Sequence, residues 1–374
     1  MEKQERSLSH LLITALFVGI LLSFSLFFLI HAANERQNAV AETCMDGSQI
    51  QGQSLPDRFE RAVYQNAATI SRIREHQFLL FRATSGQNVI VGEDNFLFEI
   101  EDSEYKYNYL EDYLGNTAFS EKELAAILSL LQRRADSYEQ RGAKYLLVVI
   151  PNAQMVYSEN MPAYLGTPSQ TRLSRLCAYL TENGFEDYLN LTDYLIANKS
   201  AQPLYNNTEN SLNSLGVYYA YQAVCKHFEN SSTSDLLTAP PDTFSFYQHH
   251  TTGKAIARRA GVEDVVQNLT VSLSGATEKN YFTPYQSGPV TQTLLLKEAA
   301  ARNATSTLSL LLQFSDQWER LQSEPFFSNT FERVTYQTNW IDDPEIFEMA
   351  QPALIVQFVY ENQLSWLLPR NSVS

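Results

Sequence analysis

Three stretches of this 374-residue chain leave it few ways to fold: Lys144–Ile150 (KYLLVVI), Thr307–Phe314 (TLSLLLQF) and Ala353–Val359 (ALIVQFV). Each has the length of a strand and is apolar at nearly every position, not at alternate ones. Strands of that kind are covered on both faces, as in parallel sheets. Helical signals lie between them. Ser120 and Glu123 form a capping box that opens a helix running to about Gly142. A helix near 169–183, a short strand near 186–190 and a helix from Ser214 to Phe228 follow. The last third alternates again. The helix Asp316–Phe327 and the short strand Arg333–Tyr336 precede Asp343-Pro344, which opens a helix as cap and first-turn proline. Glu361–Leu368 reads as a last helix. This rhythm predicts an α/β domain of three layers with a mainly parallel sheet. The three runs should be neighbouring strands, with Leu147, Val149, Leu310, Leu312, Ile355 and Phe358 in the core.

The N-terminus carries a different signal. Leu11–Ile30 is twenty residues without a charge, enough to span a hydrocarbon core of about 30 Å. A transmembrane signal anchor at 9–32 is expected, after a short cytoplasmic tail at 1–8. A cleaved signal peptide is the alternative, although its apolar region would run about 7–15 residues. Lys3 and Arg6 are balanced by Glu2 and Glu5, so the orientation rests on the signal-anchor layout, which puts the bulk of the chain outside the cytoplasm. Residues 33–85 read as a linker and an amphipathic helix, with Phe59, Val63, Ala67, Ile70, Ile73 and Phe78 at helical spacing. Asn88–Ile100 reads as a hairpin around Gly92-Glu93-Asp94-Asn95, and 86–374 as the α/β domain. Residues 230–300, rich in Ser, Thr, Asn and Pro, read as an insertion.

Lys and Arg total 27 against 42 Asp and Glu, a net charge of -15. Nucleic acid is therefore excluded as a partner, because phosphate contacts need clustered cations. Cys44, Cys177 and Cys225 make neither a disulfide scaffold nor zinc-ligand spacing, and no metal or cofactor is expected. Walker, GxGxxG, HExxH and GxSxG motifs are absent. The sequons at Asn190, Asn198, Asn206, Asn230, Asn268 and Asn303 match what chance gives in a chain of this composition. His249 and His250 read as loop histidines, since adjacent side chains diverge and rarely share one ligand.

From about residue 88 the chain resembles a known family. Val89–Phe98 (VIVGEDNFLF) resembles the "vvGkdgWLF" opening of the AlgX/AlgJ-like SGNH acyltransferase domains, which the DHHW-motif proteins share. Val148–Tyr157 (VVIPNAQMVY) resembles their "vviPNKxxiY" turn. Leu204–Gly216 followed by Tyr218–Tyr221 resembles "LYyktDxHWnxxGayyaY", and Gly253–Ala257 the "GdlA" helix. Leu310–Trp318 and Pro325–Phe331 resemble "lllfxDSFxxxLxPFLsxxF". The resemblance implies an SGNH-hydrolase-like fold and a role in polysaccharide O-acetylation at the cell envelope.

The departures fall on the catalytic positions. By resemblance, the family's nucleophile is the Ser of Asp-Ser-Phe, and its base and orienter are the His and Asp of Asp-x-His-Trp. Here those positions read Glu209, Asn210, Ser211 and Leu212, and Asp316, Gln317 and Trp318; the "PNK" lysine is Ala153. Ser211 cannot serve as a base near neutral pH, and Gln317 cannot be a nucleophile. Relocated candidates are Ser315 as nucleophile and His249 or His250 as base. Asn152, Tyr157, Tyr205, Tyr219 and Trp318 are candidates for holding a glycan, the aromatic residues being read either as stacking surfaces or as core. Three functions stay open: a degenerate accessory or binding protein, an active O-acetyltransferase or esterase, and a cell-surface interaction protein. The resemblance implies a membrane-bound O-acyltransferase as partner.

Overall fold

A computed structural model describes residues 78, 88–230, 244–274, 283–285, 294–298, 306–315, 325–337, 340 and 342–369, all within the unit Ser71–Ser374. The expected membrane anchor, the linker and amphipathic helix apart from Phe78, and Asp316–Trp318 lie outside the described residues. Among the described residues no helix is long and apolar enough to cross a membrane.

The domain opens with the expected hairpin, β1 (Val89–Val91) against β2 (Leu97–Glu99). Its turn works because Asp94 and Asn95 both take positive φ, as a tight primed turn requires. A second small pair, β3 (Glu101–Asp102) and β4 (Tyr107–Asn108), leads into α1 (Tyr109–Tyr113). Helix α2 (Glu121–Gln140) starts on the predicted Ser120–Glu123 capping box. Then follow β5 (Lys144–Ile150), α3 (Ala153–Val156), α4 (Arg172–Glu182), β6 (Tyr188–Asn190), α5 (Thr192–Asn198) and α6 (Ser214–Asn230). A hairpin of β7 (Ser245–Thr251) and β8 (Asn268–Ser274) encloses α7 (Ala255–Ala260). The last elements are β9 (Thr283–Tyr285), β10 (Leu294–Glu298), β11 (Ser306–Gln313), β12 (Phe331–Gln337), α8 (Pro344–Ala350) and β13 (Leu354–Tyr360).

Seven strands form the main sheet in the order β6-β5-β13-β11-β12-β10-β9. The first five are mutually parallel, and β10 and β9 add an antiparallel edge. The three apolar runs are thus the second, third and fourth strands, side by side and central to the parallel part of the sheet. Their alternate residues divide between two layers. Leu147, Val149, Leu311 and Ile355 pack with α2, α4 and α8; Leu146, Val148, Leu310, Leu312 and Phe358 pack with α5, α6 and Phe326–Phe327. Both faces are covered, which is why the runs are apolar throughout.

Three readings need correction. Glu361–Leu367 is a 3-10 segment, not a regular helix, and its first three residues, Glu361, Asn362 and Gln363, are buried. His249 and His250 belong to strand β7, not to a loop. Strands β9 and β10, within the stretch read as an insertion, belong to the main sheet. Cys177 and Cys225 are free, and burial pushes both thiols up to about 12. Asn206 and Asn268 are buried, which removes two of the sequons as surface acceptors.

Candidate functional site

The carboxyl ends of the parallel strands converge at β5, β13 and β11. After β11 the chain passes to the layer holding Phe326 and Phe327; after β13 it passes to the opposite layer, where Leu364 and Leu367 are buried. Where elements on opposite faces follow adjacent strands, the carboxyl ends of those strands are the usual ligand position in open α/β sheets. Ser315 follows the end of β11 there and is half-buried.

The segment 204–213 meets the end of β5 there. Tyr205 and Leu212 bridge, the Asn206 amide donates to the Ser211 carbonyl at 3.1 Å, and the Asn213 amide donates to the Leu204 carbonyl at 2.9 Å. Asn213 Oδ1 then accepts from the amides of Leu215 and Gly216 at 3.0 and 3.1 Å, which starts α6. The loop is fixed to the sheet by Asn210, whose Oδ1 accepts from the Ala153 amide at 3.0 Å, just beyond the end of β5. Inside it, Asn206 Nδ2 donates to Ser211 Oγ at 3.1 Å and reaches Glu209 Oε2 at 3.5 Å. Glu209 and Ser211 are therefore brought together, through an amide and not an imidazole. Asp316, Gln317 and Trp318 lie outside the described residues.

His249 and His250 pair with Thr270 and Leu269 across the β7–β8 hairpin. That hairpin meets the loop at its base, where the Leu269 amide donates to Asn207 Oδ1 at 2.6 Å. His249 stacks on Tyr247 with ring centroids 4.9 Å apart, and its Nδ1 is buried without a partner.

Two aromatic candidates have no free face. Tyr205 is fully buried and donates to the Pro151 carbonyl at 2.6 Å. Tyr157 is buried, accepts from the Leu204 amide at 2.8 Å and stacks on Phe96 at 4.7 Å. Both are core and hold the turn after β5. Tyr219 is partly buried between Tyr194 and Tyr218.

A buried polar cluster was not foreseen. The Asn152 amide donates to Glu361 Oε2 at 2.8 Å, tying the end of β5 to the end of β13. Asn152 Nδ2 donates to the Tyr107 hydroxyl at 3.0 Å, and that hydroxyl donates to Asp112. Asp112 also accepts from the Arg172 amide and the Thr117 hydroxyl, at 2.9 and 2.7 Å. Glu361 is 1% exposed, and its carboxyl is raised to about 8, first by burial and then by the Asp112 carboxylate. Asn152 Oδ1 is buried without a hydrogen-bond partner among the described residues. The Tyr107 hydroxyl is raised well above its ordinary value, again mainly by burial. The available signal was an acidic residue directly after the nearly continuous apolar run of β13. Among the described residues no group of three or more His, Cys, Asp or Glu could hold a metal.

The sequence profile of the SGNH hydrolase-like domain, acetyltransferase AlgX, matches residues 89–305, more than half of the chain. The chain belongs to this family. The match ends just before β11, so the AlgX-family profile covers the Asn152 turn and the 204–213 loop but not Ser315 or Glu361. No curated protein matches the chain by sequence. PatB1 of Bacillus cereus shares the fold at 12% identity and a TM-score of 0.50, over 76% of this chain and 98% of that one. The O-acetyltransferase domain of Pseudomonas putida AlgJ aligns at 14% identity and a TM-score of 0.46, over 77% and 95%. A DHHW family protein from Eubacterium siraeum aligns at 13% and 0.48, over 68% and 88%.

Proposed function

We propose that this AlgX-family protein is an accessory or binding component of surface-polysaccharide O-acetylation, without ester chemistry of its own. What supports the reading is Ser211, which fills the position of the family's base and whose hydroxyl accepts from the side-chain amide of Asn206. A serine in that place cannot take a proton from a nucleophile, and losing the base alone typically costs several orders of magnitude in rate. Gln317 fills the nucleophile position and removes the second requirement. In this reading the chain is held to the membrane by residues 9–32 with its domain outside, beside a membrane-bound O-acyltransferase. Protease added to intact spheroplasts should then digest the domain, and full protection of it would refute the orientation.

One observation favours a second reading, an active esterase or acetyltransferase: Ser315 stands just past the carboxyl end of β11, on the usual ligand side of such a sheet. An ester-turnover assay separates the two. The purified chain should hydrolyse p-nitrophenyl acetate no faster than its Gln317→Ala variant. Robust turnover that Ser315→Ala abolishes, with or without a matching loss in His250→Ala, would establish the enzyme instead.

A further inference from the structure

We infer that Trp366, backed by Tyr105 and Trp340, is a stacking platform for an uncharged glycan near the carboxyl end of β13; the inference rests on the accessory reading above. Trp366 is 47% exposed, while Leu364 and Leu367 on either side of it are buried. The segment is therefore pinned, and the indole is held out in water by its neighbours. Its ring centroid lies 4.8 Å from that of Tyr105 and 5.7 Å from that of Trp340. Tyr105 is itself presented by a built turn, in which Asp102 Oδ1 accepts from the amides of Glu104 and Tyr105 at 2.9 and 3.2 Å. Three segments far apart in sequence thus bring aromatic rings to one place.

Holding an indole half in water forgoes the gain of burying it. A pyranose ring has C–H-lined faces and hydroxyl-bearing edges. It is matched by a flat aromatic face with acceptors at its rim. Asp102 and Glu104 supply carboxylate acceptors beside Tyr105. Glu101, Asp102 and Glu104 outweigh the one neighbouring cation, Lys106, and with a net charge of -15 over the chain they disfavour uronates, phosphorylated sugars and anionic bilayers. A neutral glycan is the occupant that fits both the rings and the charge. The location agrees: the Tyr105 turn leads into Tyr107, and the Trp366 segment begins at Glu361, so both flank the polar cluster at the ends of β5 and β13.

The test titrates the full chain, in nanodiscs of neutral lipid, with hexasaccharides of β-1,4-linked glucose and N-acetylglucosamine. A hexauronate and phosphatidylglycerol vesicles are the competing probes. Indole fluorescence and calorimetry are the readouts. A neutral hexasaccharide should bind with a shift in tryptophan emission. Trp366→Ala should weaken that binding by about tenfold or more, and Trp366→Phe by less, with unchanged thermal midpoints. Equal binding by wild type and Trp366→Ala would overturn the platform and leave the accessory reading standing. No binding of either neutral hexasaccharide, or preference for the hexauronate or the vesicles, would also overturn it. Failure of the accessory reading is seen separately, as Ser315-dependent ester turnover.

Discussion

Gly216→Ala is expected to destabilise the domain by about 3 kcal/mol or more, although alanine is the better helix former by about 1 kcal/mol. Gly216 sits in the first turn of α6, and a Cβ there would fall within van der Waals contact of the Leu204 carbonyl oxygen and 2.7 Å from Leu212 Cδ2. The Leu204 carbonyl cannot swing aside, because it accepts the Asn213 amide that closes the loop. The methyl group must therefore push α6 away from the 204–213 segment. Asn213 would lose its cap on α6, and Asn210 its hold on the Ala153 amide. A fall in Tm of about 6–12 °C is the expected size. Gly184→Ala is the comparison, since it meets no atom within 4 Å and bears only the cost of its positive φ, about 1 kcal/mol. A Gly216→Ala protein as stable as wild type would show that the helix and the loop are not in close contact.

The central architecture was legible because burial on both faces leaves a plain mark, an apolar run without alternation. Lys144–Ile150, Thr307–Phe314 and Ala353–Val359 carry that mark and become β5, β11 and β13. Caps were legible for a similar reason: Ser120–Glu123 and Asp343-Pro344 act on amides a few residues away. The site was less so. Gln313, Gln337 and Gln357 lie buried side by side across β11, β12 and β13, and Glu361 meets Asn152 from the far end of the domain. A buried polar residue is paid for by partners distant in sequence, so nothing near it announces its burial. Strand β7 was missed because its residues are mostly exposed or half-buried, so the period-two alternation that marks a strand is blurred. The family motifs found the 204–213 loop and the Asn152 turn but could not show which aromatic residues were core.

Glu361→Gln is expected to make the protein more stable than wild type above about pH 8 and nearly equal to it below about pH 4.5. The carboxyl is held near 8 in the folded chain against an ordinary 4.5, so between those values the folded state keeps a proton that the unfolded state has released. The unfolded state binds fewer protons, and wild-type stability falls as pH rises through the window. The full difference corresponds to about 3–5 kcal/mol above pH 8. Burial is the main cause and the Asp112 carboxylate on α1 the second; the Asn152 amide and the Thr171 hydroxyl act in the opposite sense. Glutamine keeps an oxygen for the Asn152 amide and carries no charge at any pH. The link between the ends of β5 and β13 therefore survives through that oxygen. Urea unfolding at pH 5, 7 and 9 gives the answer: the gap between variant and wild type should widen with pH. A Glu361→Gln protein less stable than wild type at pH 9 would mean that the carboxylate is ionised and well paired, and that the ends of β5 and β13 are joined by a charge instead of a neutral acid.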